Sequence, residues 1–327
     1  MTFSIIRIAR TVLNVTDLDR SKKFYVDALG FIETERTDTH LYLRGLEEVH
    51  HHSLVLQKAD KASVNVIGYK VTKEQDLEEL EALFQSKGLQ TKWMDEGSQH
   101  AIGRALHVHD VSGIPVEFYC SMPQVERMLQ RYDQYRGSRV QRIDHVNCSV
   151  PDVQKAHDFY VNELGFVCSE DTIDKDGKLW ASWLHRKPSV HDQAFMNGVG
   201  PRLHHVAFWL PDPMALIHTC DVLASLGHAA SIERGPGRHG LSNAFFLYLR
   251  DPDGHRIELY NGDYLTSDPD VKPLHWDLDD PRRQTFWGAK APDSWFDEAS
   301  TLLDINTKKE VASKEPILEK HKPEFII

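Results

Sequence analysis

Alternating hydrophobic and polar residues predict two adjacent β-strands at Phe245–Tyr260, whose sequence is FFLYLRDPDGHRIELY. The segment Asp251–Gly254 has the composition of a turn and divides the two runs. Successive side chains on a strand point to opposite faces, so Glu258 lies on the face opposite Ile257 and Leu259. A lone strand glutamate usually faces solvent, but it can also point into the concave face of a sheet as an anionic ligand. The rest of the chain decides between these interpretations.

The elements around this hairpin occur twice along the chain. A segment that contains the motifs FYV and LGF after Asp17 recurs after Asp152, at a constant offset of 135. The hairpin itself has a counterpart at Asp110–Tyr119, which places Glu117 at the position of Glu258. Each copy reads as a strand, a helix that begins at an aspartate, and further strands. The repeat therefore predicts an α+β fold of four βαβββ modules in two pairs, whose sheets close around clefts.

The boundaries of the two pairs follow from the repeat. The predicted domains are 1–137 and 138–262, followed by a C-terminal tail at 263–327. The charged segment Gln124–Arg136 favours a helical linker between the pairs. Tail residues Trp276, Trp287 and Trp295 predict a segment that docks on the second domain and covers its cleft as a lid. The charged end Lys308–Lys322 is poor in aromatic residues and is expected to be mobile.

Composition narrows the class of protein. The 327 residues carry a formal net charge of −11, which argues against a nucleic-acid-binding face. No apolar run approaches the roughly 20 residues of a membrane span, and the N-terminus does not resemble a signal peptide. The four cysteines lie far apart and are expected to be reduced thiols, in keeping with a cytoplasmic location.

Histidines distinguish the two halves. The first strand of the second half contains His145, where the first half has Arg10, and the strand RLHHVAF contains His204 and His205. The corresponding strand of the first half, NVIGY, contains no histidine. The chain has 19 histidines, so single coincidences are expected. However, two strand histidines and the hairpin Glu258 occur together in one half only, which favours a facial triad for Fe(II) or Mn(II) with open coordination positions.

At these residues the chain resembles the type I extradiol catechol dioxygenases of the vicinal oxygen chelate superfamily. The motifs that carry the resemblance are IDHVN, WLHRKPSVHD, NGVGPRLHHVAF, IERGPGRHGLSNAFFLYLRDPDGHRIELY and RRQTFWG. The resemblance covers nearly the whole chain and is most specific from Arg142 to Gly288. It implies a glyoxalase-like fold, His145, His205 and Glu258 as ligands of Fe(II) or Mn(II), and O2 as co-substrate.

The resemblance also implies a substrate and an assembly. The small-molecule substrate would be a catechol, namely 3,4-dihydroxyphenylacetate, cleaved at the 2,3 bond to 5-carboxymethyl-2-hydroxymuconate semialdehyde in aromatic compound catabolism. The assembly would be a homotetramer. Two alternatives from other classes are a metal-dependent isomerase of the same superfamily and a non-catalytic protein that binds an aromatic ligand. The isomerases usually draw ligands from two module pairs, and a binding module would not need the three ligands together.

Further residues receive roles around the predicted metal. By resemblance His191 is the acid–base group, because an imidazole can accept a catechol proton and return it. Tyr248 and Asn147 are placed to hydrogen-bond near oxygens at the metal, and His239 lies in a glycine-rich loop without the context of a phosphate-binding loop. An arylacetate carboxylate requires a cation, for which the candidates are Arg234 and Arg283. The remaining expected substrate contacts are Trp183, as a wall for the ring, and His239.

The first half is expected to lack a metal. Glu117 is interpreted as a structural residue there. The cluster His50-His51-His52 is expected to be exposed to solvent, and no chemistry is assigned to His100, His107 or His109.

Overall fold

A computed structural model of the protein describes residues 2–322, which form two large β-sheets. The first sheet has eight strands in the order β2-β3-β4-β1-β5-β8-β7-β6. The second has nine, in the order β14-β15-β16-β13-β9-β12-β11-β10-β17. The strands of the first sheet are β1 (Ile5–Val15), β2 (Ile32–Arg36), β3 (His40–Arg44), β4 (Leu54–Lys58), β5 (Ser63–Val71), β6 (Thr91–Met94), β7 (Ala105–His109) and β8 (Pro115–Tyr119). Those of the second are β9 (Arg142–Val150), β10 (Val167–Ile173), β11 (Leu179–His185), β12 (Gln193–Asn197), β13 (Arg202–Trp209), β14 (Ile232–Arg238), β15 (Phe245–Arg250), β16 (Arg256–Asn261) and β17 (Leu274–Asp277).

One helix follows the first strand of each module, so the order strand, helix and three strands occurs four times. The module helices are α1 (Leu18–Lys22), α2 (Glu74–Ser86), α3 (Val153–Asp158) and α4 (Pro213–Ser225), and the tail adds α5 (Pro281–Gln284) and α6 (Asp293–Asp297). Wider π-helical turns extend α1 and α3. Asp17 and Asp152 begin these two helices because their side chains accept backbone N–H groups of the first turn. The predicted α+β fold of four βαβββ modules is confirmed.

The two halves share one hydrophobic core. Two tyrosines at equivalent positions of the repeat form hydrogen bonds between the halves. Tyr25 of the first half donates a hydrogen bond to Asp251 of the second at 2.8 Å, and Tyr160 of the second donates to Asp110 of the first at 3.2 Å. The FYV and hairpin motifs of the repeat therefore meet crosswise.

Two segments differ from expectation. The expected helical linker at Gln124–Arg136 has a short 3-10 turn at Tyr132–Gln134 as its one helical element, because the backbone N–H groups of Val125 and Met128 donate to carbonyls of the first half. The charged tail end does not lie free: Lys314 forms a bridge with Gly200, and Asn197 donates to the carbonyl of Leu318. Backbone hydrogen bonds, which composition does not reveal, attach Lys314 to Gly200 and Ile317 to Pro151. No helix within residues 2–322 is long and apolar enough to cross a membrane.

Candidate metal centre

Three neighbouring strands at the middle of the second sheet carry the histidines and the glutamate. His145 lies on β9, His205 on β13 and Glu258 on β16. The Nε2 atoms of His145 and His205 lie 2.9 and 3.2 Å from Oε2 of Glu258. All three side chains are at most 4% exposed. The structure thus brings together the predicted set, two imidazole nitrogens and one carboxylate within 4.8 Å of one another.

Each histidine of this set has a partner at its other ring nitrogen. Nδ1 of His145 lies 3.0 Å from the carboxylate of Asp144, which also accepts a hydrogen bond from the hydroxyl of Tyr260. Nδ1 of His205 lies 2.8 Å from Nδ1 of His204. Such partners orient an imidazole and hold a proton on Nδ1, which leaves the Nε2 lone pair available to a metal.

Glu258 and His205 have the charges that a divalent metal requires. Burial would raise the pKa of Glu258, but its contacts with the imidazoles of His145 and His205 hold the pKa well below its usual value, so the carboxylate is ionised. Burial lowers the pKa of His205 to about 4, which keeps that ring neutral. The pKa of His145 is raised, because the carboxylates of Asp144 and Glu258 outweigh the effect of its burial.

A pocket opens over the three side chains. His191 faces it, with its ring centroid 3.8 Å from that of His145, and Asn147 lies on the same strand as His145. The hydroxyl of Tyr248 lies 3.0 Å from Nε2 of His239. Trp183, His239 and Tyr248 also line the pocket. The structure therefore places the predicted acid–base and hydrogen-bonding residues around one cavity.

The chain matches the model of a known family in both halves, at residues 7–118 and 142–259. The chain belongs to the Glyoxalase/Bleomycin resistance protein/Dioxygenase superfamily. Solved structures of other members superimpose on nearly its full length. An extradiol ring-cleaving dioxygenase from Brevibacterium fuscum has a TM-score of 0.94 and 42% identity, covering 97% of this chain and 88% of that one. Homoprotocatechuate 2,3-dioxygenase from Arthrobacter globiformis has a TM-score of 0.92 and 44% identity, covering 95% and 96%.

A relative of this superfamily also bears on the metal. A manganese-dependent 2,3-dihydroxybiphenyl 1,2-dioxygenase from Geobacillus genomosp. 3 is 31% identical over 88% of this chain and 95% of its own length. The expectation of an extradiol catechol dioxygenase is thereby confirmed, and these relatives imply a catalytic metal and a small catechol substrate.

Of the predicted carboxylate-binding cations, one lies at the dioxygenase pocket. Arg283 lines it, is 3% exposed, and has no hydrogen-bond partner at Nε among residues 2–322. Arg234 lies behind the wall, between the rings of Phe246 and Trp295, and donates to Thr285 at 2.7 Å. Burial lowers the pKa of each guanidinium to about 10, so both remain charged at neutral pH.

Sequence reasoning missed several residues of the pocket. The tail residue Trp295 covers it from α6, with its ring centroid 4.3 Å from that of Tyr248. Gln284 follows Arg283 into the wall, and its carbonyl accepts a hydrogen bond from Nδ1 of His239. The tail tryptophans predicted a docked segment. Which tail residue contacts which strand residue could not be predicted, because such a single contact produces no periodic pattern in the sequence. The remaining missed lining residues are Trp180, Ala181, Met196, Leu241 and Ser242.

The first half of this superfamily fold is built differently. Register places Arg10 where the second half has His145, and Val66 where it has His205. Arg10 Nε lies 3.1 Å from Oε1 of Glu117, and Nε2 of His107 lies 2.7 Å from its Oε2. The structural interpretation of Glu117 thus has a buried ion pair as its basis.

The expectation of an exposed histidine cluster is wrong for two residues. His51 is 9% and His52 1% exposed, because both rings pack beneath Tyr42 and His52 contacts Arg10. His51 also lies near Glu35 and His100, and these three form a second group with metal-ligating atoms in reach of one another.

Proposed function

We propose that this protein cleaves the ring of 3,4-dihydroxyphenylacetate at the 2,3 bond, beside the diol. Both atoms of O2 enter the product, 5-carboxymethyl-2-hydroxymuconate semialdehyde, so substrate and dioxygen together account for all its atoms. His145, His205 and Glu258 would hold Fe(II) or Mn(II), and the choice between these two metals is left to metal analysis. The structural match to homoprotocatechuate 2,3-dioxygenase supports the choice of substrate.

One observation carries the proposal: a buried set of two imidazoles and a carboxylate shares a pocket with a buried arginine that forms no ion pair with an acidic residue among residues 2–322. The Nε2 atoms of His145 and His205 both face Glu258, and no arginine or lysine forms an ion pair with this carboxylate among residues 2–322. Arg283 faces the same space. A catechol that bears a carboxylate complements both features.

The donor set fits a divalent metal of the Fe(II) or Mn(II) type. When bound, such a metal would supply the Lewis-acid and redox chemistry that couples the catechol to dioxygen. The protein's own contribution is to orient the ring and to move protons. Trp180 and Trp183 of β11 and His239 line the pocket and would contact the ring.

His191 is the proposed group that accepts a proton from a catechol hydroxyl and later returns it. Burial holds the pKa of His191 well below its ordinary value, so the ring is neutral and can act as a base. Its Nδ1 has no hydrogen-bond partner among residues 2–322. A neutral ring with a free nitrogen beside His145 is suited to this transfer.

Tyr248, His239 and Asn147 are proposed to bind oxygen atoms of the reacting groups. Nδ1 of His239 donates to the carbonyl of Gln284, so its Nε2 can accept either from the Tyr248 hydroxyl, 3.0 Å away, or from a hydroxyl of the substrate. Burial keeps the pKa of Tyr248 well above 10, so its hydroxyl stays protonated and can donate to an oxygen of the reacting groups in place of His239. Oδ1 of Asn147 faces the same pocket and has no hydrogen-bond partner among residues 2–322.

The organisation of the chain is proposed along the same lines. Residues 1–137 and 138–262 would be the two domains and 263–327 the tail that closes over the second. A homotetramer, which the resemblance implies, remains a prediction that sedimentation analysis would test.

The test is oxygen uptake by anaerobically reconstituted protein with 3,4-dihydroxyphenylacetate, with metal content measured on the same sample. We expect one metal per chain, one O2 consumed per catechol and a yellow ring-opened product. Metal binding without oxygen uptake would contradict the proposed reaction, and a product cleaved between the hydroxyls would contradict the position of cleavage.

A further inference from the structure

Two pairs of adjacent histidines in this protein make the same unusual contact. Nδ1 of His204 lies 2.8 Å from Nδ1 of His205, and Nδ1 of His51 lies 3.0 Å from Nδ1 of His52. A hydrogen bond between two ring nitrogens requires that one ring donates and the other accepts. In a neutral imidazole this choice also determines which of the two nitrogens keeps a free lone pair.

In the second half the pair ends at a hydrogen-bond acceptor. Nε2 of His204 lies 2.9 Å from the backbone carbonyl of Trp295, which can only accept, so the His204 proton lies on Nε2. Nδ1 of His204 then accepts from Nδ1 of His205. The proton of His205 is consequently held on Nδ1, and its Nε2 lone pair faces Glu258 at 3.2 Å.

In the first half the pair ends at a hydrogen-bond donor. Nη1 of Arg10 lies 3.1 Å from Nε2 of His52, and a guanidinium can only donate. Nδ1 of His52 therefore donates to Nδ1 of His51, whose own proton must lie on Nε2, the nitrogen 3.3 Å from Glu35. The group Glu35, His51 and His100 resembles a metal site by distance, but one of its two imidazole nitrogens carries a proton.

We propose that His204 is a positioning residue that holds His205 in the metal-binding tautomer, with the carbonyl of Trp295 as its anchor. This inference rests on the proposed metal centre and adds that the C-terminal segment takes part in it. The directions of the hydrogen bonds in the first half, which place a proton on Nε2 of His51, likewise exclude a second metal at Glu35, His51 and His100. The two groups of possible metal ligands are alike in residue types and in the distances between their ligand atoms. They differ in the direction of the hydrogen bonds at their histidines.

A link between the tail and the metal ligand follows. Trp295 belongs to α6, and its side chain packs on His204 with ring centroids 4.5 Å apart. Docking of α6 therefore supplies both the carbonyl and the packing that fix His204. By thermodynamic reciprocity, metal binding at His205 must in turn stabilise the docked α6.

The first experiment compares three variants in Mn(II) affinity, measured anaerobically by competition with a chromophoric chelator. His204→Phe keeps a planar ring but removes the acceptor, and we expect its affinity to fall about 10- to 100-fold. His204→Gln can accept from His205 and donate to the Trp295 carbonyl, and we expect it to retain affinity within about threefold. His52→Phe alters the buried histidine pair of the first half, which makes the same contact at a different position, and should leave the affinity unchanged.

The outcomes separate the two proposals. If the unchanged protein binds no Mn(II) or Fe(II), the metal centre itself is refuted, and the role of His204 with it. If the unchanged protein binds one metal and His204→Phe binds it equally well, only the positioning role is overturned. Equal losses in His204→Phe and His204→Gln would also overturn it. Binding of two metals per chain, with the second lost in His51→Phe, would refute the hydrogen-bond rule.

A second measurement needs no substitution and so does not depend on the folding of a variant. Amide hydrogen exchange of residues 293–298, which include the bonds from Trp295 to Pro292 and from Glu298 to Ser294, is followed with and without Mn(II). We expect slower exchange with the metal present. Unchanged exchange in this segment, at a metal concentration that saturates the protein, would contradict the coupling.

Discussion

The two halves of this molecule have the same strands in the same order and the same hairpin glutamate, yet they surround that glutamate differently. In the second half Glu258 faces two imidazole nitrogens. In the first half Glu117 faces the guanidinium of Arg10 and the ring of His107. A buried carboxylate needs a positive partner in either case. The repeat therefore determines where the carboxylate lies, and the residues around the carboxylate determine whether its partner is a metal or a side chain.

A glycine, Gly68, leaves space for the side chain of Arg10 in the first half. A Cβ atom at Gly68 would lie 2.6 Å from Cγ of Arg10, so glycine is needed where the second half has Ala207. Val66, at the position of His205, offers no ligand atom. The first half thus has a covalently attached charge where the second half is proposed to bind a metal, and we expect its role to be structural.

The largest effect should come from removing the charge of Glu258. Glu258→Gln keeps the shape of the side chain but removes the anionic ligand, so the metal should be lost. We expect kcat/KM to fall at least ~1000-fold, corresponding to about 4 kcal/mol of transition-state stabilisation. Oxygen uptake and metal content of the same preparation measure the effect.

Glu117→Gln is the matched control in the other half. It leaves Arg10 buried without its carboxylate, which should cost about 3–5 kcal/mol in the free energy of unfolding. Activity of the folded fraction should stay within about twofold, because the two sites are separate. A loss of activity in the folded Glu117→Gln protein would mean that the halves do not differ in function as proposed.

A smaller effect should follow from removing the pocket cation. Arg283→Met should lower kcat/KM for 3,4-dihydroxyphenylacetate by about 10- to 100-fold, since hydrogen bonds to a charged group contribute roughly 1.5–3 kcal/mol. Catechols without a carboxylate should be little affected. The neighbouring Arg282 is exposed and pairs with Asp280, so Arg282→Met serves as the control. Equal losses for both kinds of catechol would remove Arg283 from the carboxylate site.

Much of this comparison could be read from the sequence, because strand periodicity and the offset of 135 align the halves. The alignment of the two halves identified His145, His205 and Glu258 as strand residues of the second half. The structure brings these three side chains together. Residues that act through a single contact between distant segments could not be predicted. The carbonyl of Trp295 at His204 is such a contact, and backbone atoms leave no trace in residue types.

Charge and polarity were misleading where burial depends on a partner. His51 and His52 looked like a solvated cluster, but Tyr42 and Arg10 cover them, and composition does not show which strand ends meet. The charged tail end also has contacts that its composition did not indicate, such as the backbone bridge between Lys314 and Gly200. In both cases the tertiary neighbour, rather than the local sequence, sets the outcome.

Metal removal should lower the free energy of unfolding of the second half by about 2.7 kcal/mol and leave that of the first half unchanged. This value is the stabilisation expected when free metal is at 100 times its dissociation constant. A chelator should therefore lower the free energy of unfolding and raise amide exchange in the strands of the second sheet. The first sheet, held by the Arg10–Glu117 pair, should be little affected. Glu258→Gln should not respond to the chelator. A uniform change in both sheets would mean that the metal does not act on one half alone.

The smallest expected effect concerns pH, and it has opposite signs at Asp263, where the tail begins beside the second half, and at Glu117 of the first half. Burial, with the nearby carboxylate of Asp144, raises the pKa of Asp263 to about 7. The native state thus keeps a proton that the unfolded chain loses near pH 4, so this contribution is complete below that pH and is lost as pH rises through about 7. The pKa of Glu117 is lowered to about 2, because Arg10 and His107 outweigh its burial, so its contribution is instead lost as pH falls towards 2.

Asp263→Asn should therefore be more stable than the unchanged protein at pH 8, by on the order of 1–3 kcal/mol, and no more stable at pH 4. Urea unfolding between pH 2 and pH 8 measures the difference, with the exposed Asp268→Asn as the control. If the two stability curves run parallel, Asp263 does not hold its proton in the native state, and the opposite pH signs are not the consequence of these two carboxyls. A gap that widens with rising pH for Asp263→Asn alone, together with an acid-side loss that Glu117→Gln abolishes, would assign each sign to its carboxyl.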